Sequence, residues 1–81
     1  MITEKELTRR LRAHGGLVVS QRQIHEALEV PPSTFYNHLR EGTVPPLNGM
    51  KLGMTIVLPV DSAIDWCLRY QREVEKLKAK K

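Results

Sequence analysis

At 81 residues the chain makes one domain, which buries only about 60–65% of the surface its unfolded form exposes and leaves little for a deep catalytic cavity. Thirteen Lys and Arg stand against nine Asp and Glu, a formal charge of +4 that favours polyanionic partners. Cys67 is the only cysteine, which excludes an intramolecular disulfide, and no apolar run approaches the roughly 20 residues of a bilayer span. The N-terminus has no apolar signal-peptide core, so a cytoplasmic protein without membrane association is expected.

The excess charge is uneven. Arg9, Arg10, Arg12, Arg22 and Arg40 face only Glu26 and Glu29 between residues 9 and 40, while the terminal KLKAKK reads as a solvated basic tail.

In chain order, Thr3 and Glu6 have capping-box spacing, and Leu7 and Leu11 mark the buried stripe of a first helix over 4–14 that Gly15-Gly16 stops. An apolar step, LVV, follows. Ser20 and Gln23 repeat the capping signature for a second helix over 21–28, with Ile24, Ala27 and Leu28 facing inward. Pro31 forbids helical geometry at Val30, so Glu29-Val30-Pro31 makes a tight connection. Pro32 or Ser33 then opens a third helix that closes at Gly42.

Pro45-Pro46 forces an extended stretch, and LNGMKLGMTIVLPV reads as two short strands turning near Gly53. Asp61 has the character of an N-cap, and Ile64, Cys67, Leu68, Val74 and Leu77 recur at helical spacing over 62–78. The fold class predicted is mainly α with a small β-hairpin, in the order helix, helix, helix, hairpin, helix. Residues 1–16 form an extra N-terminal helix and 62–81 a C-terminal helix with its basic tail.

Two helices joined by a short turn and followed by a hairpin have the layout of a winged helix-turn-helix, whose second helix enters the DNA major groove. That reading helix would span about 32–41. Phe35 and Leu39 lie four apart and pack inward, which turns Ser33, Thr34, Asn37 and Arg40 outward. Asn pairs with adenine, Arg with guanine or phosphate, and hydroxyls donate to backbone oxygens, while Tyr36 can stack or donate from the flank. Ser20, Arg22 and Lys51 complete the candidate DNA-binding set.

The run VSQRQIHEALEVPPSTFYNHLREGTVPP, then KLG and DSAIDWCL, resembles the DNA-binding domain of AlpA-type phage regulators, excisionases and related MerR-like proteins. The resemblance covers residues 19–68: Ser20 before the first helix, Leu28 and Val30 at the turn, Ser33, Thr34 and Tyr36 in the reading helix, Glu41-Gly42, a proline, the Lys-Leu-Gly wing, and Asp65 with Trp66. It implies a bacterial, phage- or plasmid-encoded protein that regulates transcription or bends DNA for excision, with a recombinase or RNA polymerase as a second partner. The sequence departs from the pattern where Asn37 replaces a usual basic residue, His38 an aromatic one and Pro31 a capping hydroxyl. The wing tip Gly53-Met54-Thr55 has no arginine, leaving Lys51 as its cation, and Arg9, Arg10 and Arg12 are expected to supply some of the missing charge.

Other chemistry is sparse. His14, His25 and His38 have no metal-ligand spacing, no cofactor motif is present, and Ser20, Ser33 and Ser62 read as caps rather than nucleophiles, so no enzyme is expected. Trp66 reads as core. Cys67, Tyr70, Val74 and Leu77 follow three- and four-residue steps, which fits either a homodimer seam or a helix folded back on its own domain. A rival function is a protein-interaction adaptor, such as an anti-repressor or polymerase-binding factor, motivated by the arginine-free wing.

Overall fold

The computed structural model describes residues 2–13 and 15–79; His14, Lys80 and Lys81, and with them the end of the expected first helix and of the basic tail, lie outside the described residues. The elements are α1 (Glu4–Arg12), β1 (Val18–Ser20), α2 (Gln21–Ala27), α3 (Pro32–Glu41), β2 (Met50–Leu52), β3 (Thr55–Pro59) and α4 (Val60–Ala79). The described chain is therefore mostly helical, with four helices and a three-stranded antiparallel sheet.

The helix starts follow local chemistry. Thr3 Oγ1 accepts from the Glu6 amide at 3.2 Å, but the Glu6 carboxylate turns to Arg9 and Arg10, so only half of that capping box forms. At α2 the box is complete: Gln23 N donates to Ser20 Oγ at 3.3 Å and Ser20 N to Gln23 Oε1 at 2.8 Å. Helix α3 opens on Pro32 with Pro31 before it and no side-chain cap, so Ser33 lies inside the helix rather than capping it. Pro32 at the first helical position has no amide to leave unsatisfied, so the first turn has one fewer free donor. Gly42, at φ 72°, closes α3 in the left-handed conformation.

Two sequence expectations at the sheet are corrected. The LVV step, which carries too few residues to show a period, forms strand β1, because β3 offers it an edge: Val18 pairs with Pro59, Val19 with Leu58 and Ser20 with Val57. The strand order is β1-β3-β2, with Met50 opposite Val57, Lys51 opposite Ile56 and Leu52 opposite Thr55. Helix α4 follows β3 without a break, so Asp61 and Ser62 sit within its first turn rather than capping it. The amide of Val60 donates instead to the carbonyl of Leu17 at 3.0 Å, and Asp61 pairs with Arg12 at 2.8 Å.

Gly49 is required by a close approach: a Cβ there would lie 2.7 Å from Ile56 Cγ2, 3.0 Å from Leu58 Cγ, and closer still to the Val57 carbonyl oxygen. The strap before β2 therefore presses directly on β3. In the turn between α2 and α3, Glu29 takes φ 59°, a conformation that costs a non-glycine residue roughly 1–2 kcal/mol.

The core gathers Leu7 and Leu11 of α1, Val19, Ile24 and Leu28, Phe35 of α3, Leu58, and Ala63, Trp66, Cys67 and Tyr70 of α4. Trp66 is core, and its Nε1 donates to the Pro45 and Pro46 carbonyls at 3.2 and 3.3 Å, which lashes the strap to α4. Among the described residues no helix is long and apolar enough to cross a membrane.

Candidate nucleic-acid interface

The roll of α3 about its axis decides which side chains it offers. Phe35 is fully buried, and its ring meets His25, Tyr36, Trp66 and Tyr70 at centroid distances of 5.5–5.7 Å. Leu39 packs against the same core, and His38 Nδ1 hydrogen-bonds the Tyr70 hydroxyl at 2.6 Å. With that side committed, Ser33, Thr34, Tyr36, Asn37 and Arg40 are all exposed. Tyr36 leans its edge on His25 of α2, and Thr34 borders a groove toward α4. Asn37 and Arg40 are coupled, since the Arg40 guanidinium donates to Asn37 Oδ1. The only acid on α3 is Glu41, in its final turn.

The other candidates sit apart. Ser20 lies at the junction of β1 and α2 with its hydroxyl engaged as a cap, and Arg22, on the first turn of α2, donates to Glu26 at 2.9 Å. Lys51 is exposed in the middle of β2, sharing the side of Ile56. One helix thus presents Ser33, Thr34, Tyr36, Asn37 and Arg40, while Ser20, Arg22 and Lys51 belong to neighbouring elements.

The arginines of α1, from which phosphate-binding charge is expected, are engaged in ion pairs. Arg9 and Arg10 both meet Glu6; Arg10 also reaches Glu29 at 3.2 Å and the Ala27 carbonyl at 2.8 Å; Arg12 meets Asp61. The guanidiniums of Arg10 and Arg12 thus tie α1 to the end of α2 and to α4. The paired arginines hold the Glu6 carboxyl down at about 2 and are themselves raised by it. Among the described residues, Lys5, Arg40, Lys51 and Arg72 are the cations with no carboxylate within 4.0 Å. Arg72 was not singled out by sequence reasoning; its signal was its position three residues after Arg69, on a helix judged only by its apolar stripe.

The sheet is apolar on its outer side. Cross-strand rows Val18–Pro59, Ser20–Val57–Met50 and Thr55–Leu52 contain no charged residue, and Met50 and Leu52 are 68% and 57% exposed. At the tips Met54 and Leu17 stand almost fully in solvent.

The α4 stripe is buried in its first half and more open beyond it, with Val74 partly buried against the core. Cys67 and Tyr70 are core of their own domain, and burial pushes the Cys67 thiol up to about 12 and the Tyr70 hydroxyl upward as well. Val74 and Leu77 instead line an open groove of about 530 Å³ with Val30, Pro31, Thr34 and His38. Of the histidines, His25 is buried against Phe35 and His38 is held by Tyr70; among the described residues no three His, Cys, Asp or Glu side chains gather around a common point. In comparisons with known proteins the chain matches no family model, no curated protein and no solved structure.

Proposed function

We propose that the protein binds double-stranded DNA, with α2 and α3 as a helix-turn-helix pair, α3 in the major groove and the β2–β3 hairpin as a wing. The observation that carries this reading is the outward set Ser33, Thr34, Asn37 and Arg40 on a helix rolled into place by the fully buried Phe35. An exposed amide and guanidinium on adjacent turns are suited to base edges, and the hydroxyls nearer the helix start to phosphates. Coupling of Arg40 to Asn37 makes the two one reading unit, so their substitutions are non-additive. Lys51 adds a backbone contact from the wing.

Within that reading the protein is a transcription regulator or an excisionase of phage or mobile-element type. A second copy joining through Val74 and Leu77 would place two reading helices on half-sites about 34–36 Å apart. The test is binding to a library of labelled duplexes at several salt concentrations. Asn37→Ala or Arg40→Ala is expected to re-rank the preferred sequences at a cost of about 1–3 kcal/mol, whereas no binding above background even at low salt would end the reading.

One observation favours a second reading, the adaptor. The uncharged outer face of the sheet, with Met50, Leu52 and Met54 exposed, suits a protein partner such as a recombinase or RNA polymerase better than a phosphate backbone. A stoichiometric protein complex that survives nuclease and high salt would support it.

A further inference from the structure

We propose that α4 holds a second nucleic-acid site, in which Arg72 and Arg69 grip a phosphate of the duplex that α3 reads; this rests on the DNA-binding reading above. Arg69 and Arg72, three residues apart, share one side of α4. Together with Glu73, Lys76 and Pro45 they line a concavity of about 390 Å³. Pro45 is the third residue after Gly42, which ends α3, so the strap that walls the concavity starts from the C-terminal end of the reading helix. Its wall is fixed, because Trp66 Nε1 holds the Pro45 and Pro46 carbonyls on α4.

The charges there are unequally committed. Lys76 meets Glu73 at 3.2 Å, so those two largely cancel. Arg69 reaches Asp65 at 3.6 Å, the longest of the arginine–carboxylate pairs among the described residues, with both side chains more than 60% exposed. Such a pair is worth little in water and exchanges readily for a phosphate. Arg72 has neither a carboxylate nor a side-chain or backbone hydrogen-bond partner among the described residues, in contrast to Arg9, Arg10, Arg12 and Arg22. Two guanidiniums with free donors in a shallow, rigid-walled recess match the bidentate geometry of a phosphodiester. A helix seated in the major groove has a sugar-phosphate strand running past each end, and the recess meets the strand at the end of α3.

The test uses the full chain and fluorescein-labelled duplexes drawn from a random library, with affinity followed against salt. Each lost phosphate contact lowers the magnitude of the log–log slope by about 0.9. Arg72→Gln is therefore expected to flatten it by about 0.9 and the Arg69→Gln, Arg72→Gln pair by about 1.8. Every duplex should weaken alike, with the order of preference and the urea midpoint unchanged, and Arg72→Lys should restore the slope. An unchanged slope in a folded double variant overturns the α4 site, and so does a changed order of preference. In either case, re-ranking by Asn37→Ala would leave the α3 reading intact. Failure of the wild-type chain to bind any duplex would remove the α3 reading itself.

Discussion

Replacing Phe35 by Ala tests the roll of α3 more sharply than any surface change. The ring is fully buried at the centre of an aromatic group with His25, Tyr36, Trp66 and Tyr70, so truncation forfeits its burial, leaves a cavity and removes several tilted or edge-to-face contacts. Deletions of this kind cost about 3–5 kcal/mol. A domain of 81 residues has about 4–12 kcal/mol of stability in total, so Phe35→Ala removes a large share of it. Phe35→Leu, which keeps most of the volume, should cost about 1–2 kcal/mol. Tyr36→Ala, at a residue 41% exposed, should cost less than Phe35→Ala by at least about 2 kcal/mol. The assay is urea unfolding followed by tryptophan fluorescence, with stability taken from the midpoint at constant m. A cost below about 1 kcal/mol for Phe35→Ala would refute the reasoning, because the helix would then be rolled differently and the exposure of Asn37 and Arg40 would lose its cause.

Three further outcomes follow from single contacts. Ser20→Ala removes the hydroxyl arm of the α2 capping box, leaving the backbone amide of residue 20 to donate to Gln23, and should lower stability by about 1 kcal/mol in the same assay, whereas Ser33→Ala, at a position that caps nothing, should change it by less than about 0.5. Gly49→Ala drives a methyl into β3 and should cost about 1–3 kcal/mol, with amide exchange fastest in Met50–Leu52 if the hairpin opens. Glu6 is held at about 2 by hydrogen bonds from Arg9 and Arg10, against an ordinary 4.5, so its contribution is fully present above pH 4.5 and is lost as pH falls toward 2. Urea midpoints measured across that window should fall less steeply for Glu6→Gln than for the parent chain.

Much of the helical frame was legible because its signals are local. Ser20 with Gln23 fixes the start of α2, the paired prolines and Gly42 bound α3, and the Phe35–Leu39 spacing sets its inward side. The exposed face of α3 follows from the same spacing. What sequence could not give depends on partners far along the chain. Strand β1 exists because β3 lies beside it, and Asp61 reads as a cap in sequence because neither the Leu17 carbonyl nor Arg12 is near it along the chain. The ion pairs of Arg10 with Glu29 and of Arg12 with Asp61 are likewise invisible in sequence, because those carboxylates lie far along the chain. Gly49 carries no composition signal, since its reason is a backbone pressed against Ile56, Val57 and Leu58. The recess beside Pro45 likewise needs the strap folded onto α4 before Pro45 joins Arg69 and Arg72 in one lining.

The most direct measurement of the central claim is duplex selection by the parent chain, compared with selection by Asn37→Ala, by Arg40→Ala and by the pair. The account predicts a defined preferred sequence for the parent and a shifted preference for each single variant. It also predicts a combined loss different from the sum of the two single losses, because Arg40 donates to Asn37. A parent chain that binds all duplexes equally, or variants that keep its preference, would contradict it.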